Sequence, residues 1–171
     1  MANRNTQGFG LIAQGTVGST MASQGQGKYL IDAGMGVDLF QGTAVRSAAG
    51  YIVTAQAAIT NTCIGVLNGI FYNDATTKKP TFANFYNQPI TPANSEDITA
   101  FVIDNPNQLF VASIDAAAAQ AEYGKTYGLT VTAAGSEISG QSSSELTYAT
   151  RHATNNQWRL VRTAEDPENN D

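Results

Sequence analysis

Few side chains in this sequence carry the chemistry of a reacting group. His152 is the sole histidine and Cys63 the sole cysteine. One of each cannot furnish a His/Cys zinc centre, and no ligand spacing accompanies them. Serine and aspartate are plentiful, so composition alone leaves a Ser-His-Asp site open. No Gly-x-Ser-x-Gly turn presents a serine nucleophile, however. His152 lies between Arg151 and Ala153, beside the polar run Thr154-Asn155-Asn156, a setting in which histidine is ordinarily solvated or hydrogen-bonded. Gly25-Gln26-Gly27-Lys28-Tyr29 has the outline of a phosphate loop. The leading glycine position holds Ala22, and Tyr29 replaces the Ser or Thr that would meet magnesium. Asp32 with Asp38, and Glu96 with Asp97, are the candidate carboxylate pairs, but neither sits in a calcium-loop pattern and both read as solvated turns. These residues point away from an enzyme and imply no cofactor and no metal.

The aromatic residues offer binding chemistry instead. Phe71, Tyr72, Phe82, Phe85 and Tyr86 cluster in sequence, and Phe101, Phe110, Tyr123 and Tyr127 follow. Most of the phenylalanines read as core, with tyrosines reaching the rim. Tyr86, Tyr148 and Trp158 are candidates for partial exposure and contact with a glycan or a subunit.

The elements that would carry these residues read as β structure. Strands are expected over residues 50–55, 62–72, 81–86, 98–103, 109–114, 127–131, 146–148 and 158–162. They are rich in β-branched and aromatic residues and separated by turn-forming stretches such as Asp104-Asn105-Pro106-Asn107-Gln108. Asp115-Ala116-Ala117-Ala118-Ala119-Gln120-Ala121-Glu122 reads as one short helix, capped by Asp115 and stopped by Gly124. The fold class expected is mainly β, an antiparallel barrel or sandwich with one short helix.

Ahead of this body, ten of the 16 glycines fall in residues 1–50. Apolar residues there are scattered, with no lasting period. Residues 1–36 are therefore expected to form an extended glycine-rich arm, of which 1–33 order only on a partner, and residues 37–171 a β-barrel-like body. The arm's partner-binding residues are Phe9, Leu11, Ile12, Val17, Lys28, Tyr29 and Leu30.

The bulk properties fit a structural role. The 171 residues suit one domain plus an arm. Net charge is -5 and only 13% of residues are charged, which argues against a nucleic-acid binder needing clustered Lys and Arg. No stretch approaches the roughly 20 apolar residues that span a bilayer, so no membrane partner is expected. Cys63, inside Cys63-Ile64-Gly65-Val66-Leu67, reads as a small core side chain.

Several segments taken in order resemble the small head-decoration, or cement, proteins of tailed bacteriophages of marine podovirus type. They are Gly50-Tyr51-Ile52, then Ile64-Gly65-Val66-Leu67-Asn68-Gly69-Ile70-Phe71-Tyr72, and Ala100-Phe101-Val102-Ile103-Asp104-Asn105-Pro106-Asn107-Gln108-Leu109-Phe110-Val111. Gly135-Ser136-Glu137-Ile138-Ser139-Gly140-Gln141-Ser142 and Trp158-Arg159-Leu160-Val161-Arg162 through Asp166-Pro167-Glu168-Asn169 complete the pattern. The resemblance covers roughly residues 37–171. It implies a barrel-like fold attached outside an icosahedral head, at contacts between capsomers of the major capsid protein. Self-association as a dimer or trimer on the shell, and residence in the host cytoplasm during assembly, go with it. Val111-Ala112-Ser113 departs from the more acidic strand of such relatives. The alternative function is a glycan- or receptor-binding module of the head surface.

Overall fold

The computed structural model describes residues 8–18, 25–55, 62–130, 135–151 and 156–164. His152 and the acidic residues 165–171 lie outside the described residues, as do residues 1–7 and 19–24 of the expected arm.

The chain is mainly β, with three antiparallel sheets among the described residues. The strands are β1 (Ile12–Thr16), β2 (Gln26–Ile31), β3 (Ala44–Ala48), β4 (Tyr51–Thr54), β5 (Cys63–Asn73), β6 (Pro80–Ala83), β7 (Ile98–Ile103), β8 (Gln108–Val111), β9 (Thr126–Thr130), β10 (Glu145–Thr147) and β11 (Trp158–Arg159). The largest sheet runs β2-β7-β5-β3-β4, with β6 added to β5; β1 pairs β8, and β9 lies between β10 and β11. Ala49 and Gly50 both take positive φ, the geometry of a two-residue hairpin turn, and so join β3 tightly to β4. β2 and β4, at opposite ends of the large sheet, come into contact with each other. The sheet is therefore strongly curled, although no ladder joins those two strands among the described residues.

Strand alternation sends neighbouring residues into two cores. Ile31, Val45, Ile52, Leu67, Ile70, Ile98, Ala100 and Val102 share one face and are sealed by Leu39 and Tyr86. The latter two exchange backbone hydrogen bonds of 3.0 and 2.8 Å. The Tyr86 hydroxyl donates to the carbonyl of Met35 at 2.9 Å, which lets a fully buried tyrosine keep its polar end satisfied. Ala44 and Val66, next in sequence to Val45 and Leu67, face the other way. They pack with Leu11, Tyr127, Leu129 and Leu146, so the small β9 sheet covers that part of the large one.

Two expectations are corrected here. The described part of residues 1–36 does not stand outside the body as an arm. β2 pairs with β7 along its whole length, from Gln26↔Ile103 to Ile31↔Ile98, and β1 pairs with β8. Leu11 is a core residue only 4% exposed, and its N–H donates to the Gly42 carbonyl at 2.9 Å. The glycines that weaken local propensity are here compensated by ladder bonds to distant strands. The second correction concerns residues 115–122. Only Gln120–Glu122 forms a single 3-10 turn, preceded by extended Ala119. Asp115 instead accepts the N–H of Tyr148 at 2.7 Å, and its own N–H donates to Leu146. Two turns of alanine present no large apolar stripe to bury, and so short a helix does not hold by propensity alone. Two further 3-10 turns, Ala93–Ser95 and Tyr148–Thr150, are the other helical elements among the described residues.

Candidate interaction surface

The face of the large sheet opposite the Ile70 core is covered by the β9 sheet at one end and open at the other. On the open end, β6, β5 and β7 lie side by side and present three phenylalanines. Phe82 of β6 is directly opposite Phe71 of β5, with ring centroids 4.7 Å apart. Phe82 also stacks near-parallel on Phe101 of β7, at 6.4 Å and 18°. That reach passes over β5 at the position where Gly69 pairs with Phe101. On the far side of β7, Lys28 is opposite Phe101 and Leu30 opposite Thr99. Leu30 is 43% exposed and Phe82 73%. A phenylalanine so exposed on a hydrogen-bonded sheet keeps its apolar surface in water, at a cost recovered only when a partner covers it.

The seven residues expected to contact a partner are divided by the fold. Lys28 and Leu30 join the phenylalanine face. Ile12, on β1 in a different sheet, and Val17, just past the end of that strand, are exposed. Leu11 is in the core, Phe9 is half-buried, and Tyr29 turns inward and donates its hydroxyl to Asp104 Oδ2 at 2.9 Å. Tyr29 and Leu11 are thus structural. Most of the phenylalanines were expected in the core, and Phe82 is the most exposed of them, because its short edge strand places position 82 on the solvent side. A lone alternation across Thr81-Phe82-Ala83 gives no sign of which side is inward.

The residues with reactive chemistry do not converge. Cys63 is half-buried, and desolvation pushes its thiol pKa up, away from thiolate reactivity. Asp32 accepts the N–H of Gly34, Asp38 that of Gln88, Glu96 the amide of Asn73, and Asp97 the hydroxyl of Tyr51. Gln26, Gly27 and Lys28 are strand residues, not a loop leading into a helix.

The densest charged group surrounds Glu122. Its carboxylate meets Lys125 Nζ at 2.9 Å, the Tyr127 hydroxyl at 3.0 Å and Arg151 Nε at 3.7 Å. The Arg151 guanidinium also lies over the Tyr148 ring, 3.9 Å from its centroid. The Lys125 hydrogen bond, followed by those of Tyr127 and the nearby cations, holds the Glu122 carboxyl below the usual range. Burial, followed by Glu122, pushes the Tyr127 phenol up to about 12. Both shifts move away from neutral pH, the reverse of an acid–base pair tuned for catalysis. The group fastens the 120–122 turn to β9 and to the 148–150 turn. Among the described residues no cluster of three His, Cys, Asp or Glu could hold a metal ion, and no helix is long and apolar enough to cross a membrane.

Comparison with protein-family models, with curated proteins and with solved structures finds no match.

Proposed function

We propose that this chain is a non-catalytic structural module that docks on a protein shell. The shell is the head of a tailed phage, and the chain is a decoration or cement protein on the outer surface of its major capsid protein. The observation that carries the docking part is the exposed Phe71–Phe82–Phe101 face, flanked by Leu30 and Lys28. The phage part rests on the resemblance of the ordered segments between residues 50 and 169. In this reading a preformed sheet face does the work first assigned to an arm. A rigid face loses little conformational entropy on docking, so more of its apolar burial is available for binding. Binding assembled shell in preference to free subunits stabilises the shell by mass action. Copies that also touch one another on the lattice gain avidity from modest single contacts.

The test uses phage heads stripped of this protein and the full chain added back. Truncating a central aromatic anchor typically costs ~2 kcal/mol or more, about 30-fold in affinity. Phe82→Ser is therefore expected to lower head binding about 30-fold in co-sedimentation while the variant remains folded. Heads that bind the variant as well as the unsubstituted chain would refute the docking face. A chain that binds no heads at all would refute the shell as partner.

A further inference from the structure

We propose that a second, separate surface of this molecule, the cleft between the start of β5, the β7–β8 turn and β11, binds a neutral saccharide. The cleft measures 570 Å³, within the ~300–1,000 Å³ of small-molecule sites. Trp158 forms one wall. Its strand position opposite Tyr127 and an edge-to-face contact with Phe110, at 5.7 Å and 85°, fix the indole in place. An indole held in this way offers an electron-rich surface to the C–H face of a pyranose ring.

The cleft lining also includes amide side chains. Asn105 uses its side-chain carbonyl on the N–H of Asn107 at 2.9 Å, which leaves its NH2 group as the donor. Gln108 is only 8% exposed and lines the same cleft. Its NH2 donates to the carbonyls of Gly15 at 2.6 Å and Leu109 at 3.1 Å. Two carbonyl acceptors settle which end of the amide is which, and Gln108 Oε1 is left with no donor. That oxygen is sealed from solvent, so the amide donor left for a ligand is the NH2 group of Asn105. A sugar hydroxyl can accept from that group.

Charge narrows the ligand class. Asp104 and Arg159 both line the cleft and offset each other, so neither a phosphate nor a simple cation is favoured. The mixture of an indole, the Asn105 amide donor and the apolar side chains of Leu109 and Val161 matches a molecule with an apolar face and a hydroxyl rim. This site shares no residue with the phenylalanine face, so it stands or falls independently of head docking.

Trp158 is the sole tryptophan, so its fluorescence reports on this cleft alone. Lactose, maltose and diacetylchitobiose would be titrated into the full chain, with glycerol as an acyclic polyol control. A saturable change with at least one disaccharide and none with glycerol is expected. Val161→Arg, which fills the mouth of the cleft from an exposed position, should abolish that response. Arg159→Ala should weaken it several-fold, and Phe82→Ser should leave it unchanged. Absence of a saturable response to all three disaccharides, with no saturation transfer by NMR, would overturn the site. So would binding that survives both cleft substitutions.

Discussion

Replacing Tyr127 by Phe removes one hydroxyl from the interior and keeps the ring that packs between Leu11 and Leu146. Tyr127 is fully buried, and its hydroxyl is one of three groups holding the Glu122 carboxylate, which retains Lys125 at 2.9 Å after the change. A hydrogen bond to a charged group contributes ~1.5–3 kcal/mol, so a loss of about 2 kcal/mol is expected. For a chain of this length that corresponds to a fall in Tm of roughly 4–8 °C. Urea unfolding at neutral pH gives the free energy directly, and an unchanged slope would show that the denatured state is not the source. Alkaline pH probes the same hydroxyl through its burial as well as its bond to Glu122. The folded phenol is pushed up to about 12 from an ordinary 10.0, so the stability linked to it is complete below pH 10 and lost as pH rises through 12. Burial is the first cause of that shift and Glu122 the second, so the alkaline loss reports both together. Tyrosinate absorbance should show a phenol ionising near pH 12 in the unsubstituted chain, a step that Tyr127→Phe should lack. A variant as stable as the parent chain, or a parent in which every tyrosine ionises near pH 10, would refute the role given to the Glu122 group.

The acid side gives the complementary result. The Glu122 carboxyl is held low in the folded chain, chiefly by the Lys125 hydrogen bond, so its contribution is complete above an ordinary carboxylate pKa of ~4.3 and is lost as pH falls through the depressed value. Urea midpoints measured down through this range should fall for the parent and fall less for Glu122→Gln; parallel curves would exclude the linkage. Backbone crowding predicts a contrast between two glycines. A Cβ at Gly65 would overlap the Ile103 carbonyl oxygen on β7, whereas nothing lies within 4 Å of one at Gly15. Gly65→Ala should destabilise by ~1–3 kcal/mol in urea unfolding, and Gly15→Ala should stay within ~0.5 kcal/mol of the parent. Equal effects at the two positions would show that strand packing at Gly65 is looser than described.

The large central strands were legible because their local signals agree with their final environment. Ile98–Ile103 is a strand with the bounds expected from its β-branched residues, and Cys63–Asn73 differs from the expected 62–72 by one residue at each end. The turn at 104–108 was legible through Asn105 and Pro106, whose preferences act within a few residues; Asn105 indeed accepts the N–H of Asn107 there. β1, β2 and β3 were missed. In β2 the inward residues are Gly27, Tyr29 and Ile31, while Leu30 is exposed, so hydropathy does not alternate cleanly. What holds β2 is a ladder to β7, some 70 residues away. Such pairing leaves little trace in a local window.

Sequence by itself determined the β character of the chain, the positions of its strong turns and the poverty of catalytic residue types, because these follow from intrinsic preference and composition. Tertiary structure decided which side chains are available to a partner. Tyr29 and Leu30 are adjacent, yet one is turned in toward Asp104 and the other out beside Phe101. Phe82 reaches Phe101 because β6, β5 and β7 are neighbours in the sheet. The same neighbour relations brought residues 105 and 108 and Trp158 to one cleft. Such surfaces are built from strand order and sheet curl, which arise from contacts between distant segments, whereas propensity acts over a few residues.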